Sequence, residues 1–139
     1  MSDLIKAALF AAVLLCCGCD ELNPKKPKPA VVVWKQVGTW SGGESGQTDT
    51  FDMGMAQWRV RWTTREPTPD HHAGKTGKFV LTVNSAVSGR PLTQLADHDG
   101  PGEGIGYVND DPRPYYLVID SSGLDWTVTV EQSISTAGQ

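Results

Sequence analysis

The sequence predicts an all-β fold, an antiparallel β-sandwich of about seven or eight strands, with an open β-barrel as the alternative. Three observations predict it. From residue 31 onward much of the apolar pattern alternates with period two, as in strands that have one buried face. Turn-forming residues interrupt this pattern often, since the chain of 139 residues holds 15 Gly and 9 Pro. No window of a dozen residues in this region shows the period of a helix.

The predicted strands follow one another along the chain with short turns between them. The clearest is 58–62, in which Trp58, Val60 and Trp62 share one face while Arg59 and Arg61 share the other. The other strands are predicted at 31–37, 48–51, 79–84, 105–108, 115–120 and 126–131. Turns are predicted where glycine, proline and small polar residues cluster, at 42–46, 66–77, 88–91, 110–114 and 121–123.

Tryptophan and cysteine are distributed in opposite ways along the chain. Several of the tryptophans take predicted inward positions, and all five lie after residue 31, at Trp34, Trp40, Trp58, Trp62 and Trp126. The three cysteines are confined to the start of the chain, at Cys16, Cys17 and Cys19. A disulfide framework is therefore excluded from the body, and large buried aromatic side chains are expected to stabilise it instead.

The first 18 residues have the organisation of a signal peptide. An apolar run at 7–17 follows a short start with one lysine, and it is too short to cross roughly 30 Å of hydrocarbon as a helix. The run ends at Gly18-Cys19, which resembles the lipobox of bacterial lipoproteins. This resemblance implies cleavage before Cys19 and lipidation of its thiol. Cys16 and Cys17 replace the usual Leu and small residue, so Cys17 stays open as an alternative acceptor, and an ordinary secretory signal is the second interpretation.

Four segments follow from these patterns. They are a signal peptide at 1–18, a lipidated cysteine with a Pro/Lys-rich tether at 19–30, the β-sandwich at 31–135 and a flexible tail at 136–139. The tether contains ELNPKKPKPA, and its prolines favour an extended spacer. The resemblance to lipoproteins further implies two or more acyl chains on the cysteine, which anchor a protein stably. The expected location is therefore the cell envelope, on a bacterial membrane and facing the periplasm or the surface.

Charge and motif content exclude several classes of function. The formal net charge is −4, whereas a protein that binds nucleic acid without sequence preference needs a basic face. The chain has no GxSxG, HExxH or P-loop motif, and its body has no cysteine nucleophile. The glycine-rich segment 100–106 is not followed by a helical pattern, which argues against a dinucleotide loop. We therefore expect neither catalysis nor a cofactor.

Two groups of residues are candidates for binding a ligand. Arg59 and Arg61 share one face of a strand and could grip a carboxylate or phosphate, or else face Asp49 or Glu131 on neighbouring strands. Tyr107, Tyr115 and Tyr116 could form an exposed platform for sugar or peptide, although at least one of the three is expected in the core. Tyr107 and Tyr116 are taken as the candidates.

Two loops carry groups that could bind a metal ion. Asp97, Asp99 and Glu103 offer three carboxylates for calcium without the spacing of an EF-hand loop, and Asp110 and Asp111 could join them. The alternative is an ordinary polar turn. The neighbours Asp70, His71 and His72 offer further ligands, although adjacent loop residues rarely point at one ion, so a solvated loop is the favoured interpretation.

The body resembles small β-sandwich modules of secreted bacterial proteins whose function is uncharacterised. The residues that carry the resemblance lie at 38–42, 58–62, 115–117 and 126–130. The leading hypothesis is a membrane-tethered, non-enzymatic module that binds another envelope component, either protein or glycan. A structural lipoprotein without a dedicated ligand and a calcium-dependent module are the alternatives.

Overall fold

Two antiparallel sheets pack face to face in the computed structural model, which describes residues 31–67 and 77–136. The predicted signal peptide, the tether and the segment 70–72 therefore lie outside the described residues. The strands are β1 (Val31–Gly42), β2 (Gly46–Gln47), β3 (Phe51–Asp52), β4 (Gln57–Arg65), β5 (Lys78–Ser85), β6 (Pro91–Asp99), β7 (Gly102–Asn109), β8 (Pro114–Ser122) and β9 (Asp125–Thr136). No helix among the described residues is long and apolar enough to cross a membrane.

The first sheet has the strand order β1-β9-β4-β7, and the second has the order β2-β8-β5-β6. Strand β3 also pairs with β8, so β2 and β3 act as one interrupted edge strand. Counted in this way, eight strands form two four-stranded sheets, and the strand order is that of a jelly roll. No pairing between described strands joins the two sheets into a barrel. The predicted β-sandwich is confirmed, and the open barrel is not observed.

The core lies between the sheets and is built by the predicted alternation. In β4, Trp58 and Val60 are fully buried and Trp62 is 7% exposed. Aromatic rings cross the interface between the sheets, because Trp58 packs on Tyr115 with a centroid distance of 5.0 Å. Trp62 packs on Phe79 in the same way, at 5.3 Å. These contacts give the described part of the chain, which contains no cysteine, a continuous aromatic core.

Strand β1 is longer than predicted, and its irregularity explains why. The register with β9 shifts between Gln36 and Gly38, so Val37 is an extra residue in a β-bulge. The bulge changes which positions face the core, since Trp34 lies on the outer side whereas Trp40 packs against the core. A strict two-residue period therefore ends at residue 37 in the sequence, although the strand continues to Gly42.

Strand β6 was not predicted, because its sequence has almost no alternating apolar pattern. It is an edge strand in which only Ala96 is buried, and residues 91–94 are all exposed. Its pairing with β5 contains two register shifts, which break the period further. The predicted turn residues Asp97 and Asp99 therefore belong to a strand. The glycine-rich segment 100–106 forms the β6–β7 turn and the first part of β7.

Candidate binding face

One face of the first sheet points away from the core and carries neighbouring aromatic and charged side chains. We call it the outer face. Cross-strand pairing places Gln36, Glu131, Arg59 and Tyr107 in one row across all four strands. Residues paired in this way have side chains on the same side of a sheet, about 5 Å apart between neighbouring strands. Strands from four distant parts of the sequence therefore contribute to one surface.

Glu131 lies at the centre of this row and is almost fully buried beneath two arginines. Its side chain is 10% exposed, and its Oε2 accepts a hydrogen bond from Arg59 Nε at 2.6 Å. Its Oε1 accepts from Arg61, at 3.1 Å from Nε and 3.0 Å from Nη2. Both carboxylate oxygens are thus satisfied by charged donors, which is the condition for keeping such a charge out of water.

Trp34 packs against Arg59. The guanidinium carbon of Arg59 lies 4.3 Å from the centroid of the indole, in the range of a cation–π contact. The Trp34 ring also approaches Tyr107, with a centroid distance of 6.0 Å and an interplanar angle of 58°. These residues lie on opposite edge strands, β1 and β7, so their rings meet above β9 and β4. We call Trp34, Arg59, Arg61, Tyr107 and Glu131 the Trp34–Tyr107 cluster.

The groups of the cluster differ in how much of them a ligand could reach. Tyr107 is 61% exposed, and Ile105, the neighbour of Tyr107 on the same face of β7, is 46% exposed. The Arg61 side chain is 50% exposed, whereas that of Arg59 is only 18% exposed. The accessible surface is therefore an aromatic ring, an aliphatic side chain and one guanidinium, placed next to one another.

Hydroxyl groups continue the outer face beyond the cluster. Thr39 and Thr129 are joined by a hydrogen bond of 3.0 Å between their hydroxyls, and Ser41 and Thr127 are joined by another of 3.0 Å. An open depression of about 530 Å³ adjoins them, lined by Thr63, Thr64, Arg65, Gly102, Glu103 and Thr127. The outer face thus carries aromatic side chains at one end of the sheet and hydroxyl groups at the other.

The three tyrosines considered from the sequence do not form one platform. Tyr115 is fully buried in the core. Tyr116 follows it in β8 and lies on the opposite side of the sandwich from Tyr107, where its hydroxyl donates to the Gly89 carbonyl at 3.4 Å. Because Tyr107 belongs to the first sheet and Tyr116 to the second, the thickness of the core separates them. Only Tyr107 remains at the candidate face.

The two arginines are placed as the sequence suggested, on one face of one strand. Two carboxylates were considered as partners of these arginines. Glu131 forms ion pairs with both, whereas Asp49 does not pair with either one among the described contacts. Arg59 is consequently committed to the ion pair and to Trp34. Arg61 keeps half of its side chain open to solvent.

The three carboxylates considered for calcium are not brought together. Asp97 and Asp99 lie on the outer side of the second sheet, where Lys78 Nζ contacts them at 3.2 and 4.0 Å. Hydrogen bonding and charge from Asp97 raise the pKa of Lys78, with a smaller contribution from Asp99. Glu103 lies across the sandwich, on the outer face of the first sheet. Within the described ranges no group of three metal-binding side chains assembles.

Asp110 and Asp111 have a structural role instead of joining the other carboxylates. Asp110 forms an ion pair with Arg113, and this hydrogen bond lowers the pKa of the carboxyl. The hydroxyl of the buried Tyr115 donates to the backbone carbonyl of Asp111 at 2.6 Å, and Arg113 Nε donates to the same hydroxyl at 3.2 Å. These contacts hold the β7–β8 loop against the core.

Sequence reasoning missed the role of Trp34, which was grouped with the other tryptophans as a candidate for the core. Its position two residues before Gln36 places it on the outer side, because the bulge that reverses the facing of β1 comes after it. The sequence does carry one signal. Trp34 and Trp40 are an even number of residues apart, so an unbroken strand would place both on the same face. Trp40 can face the core while Trp34 faces outward only if the alternation breaks between them.

Comparison with known proteins yields no family assignment. No protein-family model matches this chain, and no curated protein matches it. Among solved structures, the chain is similar to the N-terminal part of the endo-1,4-beta-D-xylanase 10B of Clostridium thermocellum, comprising the CBM22-1 and GH10 modules complexed with xylohexaose. The identity is 14% and the TM-score 0.41, and the match covers 76% of this chain and 27% of that chain. The fold assignment therefore rests on the strand order and register.

Proposed function

We propose that this chain is a non-enzymatic binding module of the bacterial envelope, and that it binds a glycan on the outer face beside the Trp34–Tyr107 cluster. The observation that carries the proposal is the meeting of two aromatic rings from opposite edge strands, 6.0 Å apart, above an ion-paired arginine. Such an arrangement is not needed for the core, which closes on the other side of the sheet.

Contacts within the cluster hold Arg59 in place without a ligand. Arg59 is held by Glu131 on one side and by Trp34 on the other, so its long side chain has little freedom left to lose. Ordering of side chains upon binding costs about 0.5–1.5 kcal/mol for each rotamer-rich side chain. A surface that is already ordered therefore retains more of its contact energy as affinity.

The composition of the face favours a sugar chain over a protein partner. A stable protein interface covers about 800 Å² on each side and has an apolar centre with few polar groups. Here the apolar groups occupy one end, and hydrogen-bonded hydroxyl pairs at Thr39–Thr129 and Ser41–Thr127 occupy the other. Sugar rings combine apolar faces with hydroxyl edges, so a glycan matches both ends of this surface.

Lipid attachment at Cys19 is the second part of the proposal. It is supported by the Gly18-Cys19 junction and by the tether that directly precedes β1 in the sequence. Metabolic labelling with an alkyne fatty acid tests it in the native host background. Cys19→Ala should abolish labelling while Cys17→Ala retains it, and the reverse pattern would transfer the anchor to Cys17.

Binding is tested with the full chain in detergent against an array of bacterial envelope polysaccharides and peptidoglycan fragments. Tyr107→Ala should weaken binding at least about tenfold, which corresponds to about 1.4 kcal/mol. Tyr116→Ala is the matched control, because it removes a partly exposed tyrosine from the opposite side of the sandwich. Absence of binding to every glycan, or equal effects of the two variants, would reject the outer face as a glycan site.

A further inference from the structure

We infer that the glycan bound at the outer face is anionic, and that Arg61 recognises its carboxylate or phosphate group. This inference rests on the proposed function and specifies the chemistry of its ligand. Arg61 combines an exposed guanidinium with neighbouring side chains on which a sugar ring can lie.

The charges of the cluster are arranged by depth. Arg59 and Arg61 carry two positive charges and Glu131 one negative charge, which leaves a net charge of about +1 at this point of a chain with a formal net charge of −4. The negative group is the deeper one, since the Glu131 side chain is 10% exposed and that of Arg61 is 50% exposed. A ligand approaching from solvent therefore meets the positive side of the ion pair first.

Arg61 has donors to spare after its contacts with Glu131. A guanidinium carries five N–H donors, and Glu131 Oε1 is contacted by Nε at 3.1 Å and Nη2 at 3.0 Å. The Nη1 end has no protein acceptor among the described contacts. Planar guanidinium groups bind carboxylate and phosphate oxygens through pairs of parallel hydrogen bonds, which makes this end suited to an anion. Arg59 is less suited to this part because its side chain is only 18% exposed and packs on the Trp34 ring.

The neighbours of Arg61 explain why the anion would belong to a sugar. Ile105 is directly opposite Arg61 in the register, and Tyr107 is the next residue on the same face of β7. Diagonal neighbours of this kind lie about 7–8 Å apart, within reach of long side chains. A ring stacked on Tyr107 would thus bring an acidic substituent to Arg61. Glu103 lies on the far side of Ile105, so it disfavours a negative group at the hydroxyl end.

The test uses two probes with the same sugar backbone, oligogalacturonate and its uncharged methyl ester. A phosphate-bearing mannose oligosaccharide is the third probe. Calorimetry with the full chain in detergent should show oligogalacturonate binding at least about tenfold more tightly than the ester. If the phosphate probe binds more tightly than oligogalacturonate, the anion is assigned to phosphate. Arg61→Gln should remove the preference for charge, and Arg61→Lys should restore part of it. Tyr107→Ala should weaken both probes equally.

Salt dependence supplies a measurement that needs no variant. Affinity of the unaltered protein for the acidic probe should fall as sodium chloride rises from 0.05 to roughly 0.5 M, because ions screen exposed charges, while affinity for the ester stays constant. If the ester binds as tightly as the acid at low salt, the anionic ligand is rejected and the binding face survives. If no probe binds and no envelope glycan binds on the array, both proposals are rejected.

Discussion

Trp34 and Arg59 come from different strands, and the guanidinium carbon of Arg59 lies 4.3 Å from the centroid of the Trp34 indole. Strand β9 separates their strands within the sheet, so Trp34 must extend across β9 to reach Arg59. Ser133, its partner in β9, is small and uses its hydroxyl to donate to the Gln57 carbonyl at 2.8 Å. A small residue at position 133 leaves the Trp34 indole room to extend over β9.

The contact between Trp34 and Arg59 should appear as a coupling energy. A double-mutant cycle of Trp34→Ala and Arg59→Met, measured by urea unfolding, should give about 0.5–1 kcal/mol, since a partly exposed cation–π contact is of this size. A second cycle that combines Trp34→Ala with Arg65→Met is the control, because Arg65 lies at the far end of β4 and is exposed. Equal coupling in the two cycles would contradict the contact.

Removing the central carboxylate should destabilise the fold. Glu131→Gln leaves two arginines without their counter-charge, and breaking a buried ion pair costs about 3–5 kcal/mol. Arg61 is half exposed, so we expect a smaller loss of about 2–3 kcal/mol in the free energy of unfolding. Glu103→Gln, an exposed carboxylate on the same face, should change it by less than about 0.5 kcal/mol. An unchanged free energy of unfolding in Glu131→Gln would show that the ion pair adds no stability.

A glycine in β7 permits close packing of the edge strand on an indole. A Cβ atom at Gly104 would lie 2.6 Å from the Trp62 ring, which is itself wedged against Phe79. Gly104→Ala should therefore cost about 1–3 kcal/mol through overpacking. Gly46→Ala is the control, because a Cβ atom there meets nothing within 4 Å. Thermal unfolding of the two variants compares them directly, and a stable Gly104→Ala variant would mean that the indole can move aside.

Acid should weaken the ion pair between Asp110 and Arg113 in the β7–β8 loop. The hydrogen bond from Arg113 lowers the pKa of Asp110 below its ordinary value of 3.8, so the folded state prefers the ionised carboxyl. Its stabilising contribution is complete above about pH 4 and is lost as the pH falls through the lowered pKa. Asp110→Asn should flatten the dependence of stability on pH below 4, measured by urea unfolding from pH 5 to 2. Asp111→Asn, which keeps the Asp110–Arg113 ion pair, is the control variant, and a pH dependence that Asp110→Asn leaves intact would contradict the role of the pair.

Local pattern was sufficient to predict most of the strands and which of their residues are buried. The alternation in 58–62, 79–84, 115–120 and 126–131 is present in the structure, because a half-buried strand must separate its apolar and polar side chains. The prediction failed where that separation is absent. Edge strand β6 buries a single side chain, and the bulge at Val37 interrupts the period in β1.

The sequence by itself determined an all-β chain, the in-or-out facing of each regular strand and the shared face of Arg59 and Arg61. Only the tertiary structure decided which outward side chains meet. Alternation tells which residues avoid the core, but not to which sheet a strand belongs, so Tyr107 and Tyr116 looked equivalent until strand order placed them on opposite sides. The meeting of Trp34, Arg59, Tyr107 and Glu131 depends on pairing between strands far apart in the chain. That pairing is set by the packing of the whole core.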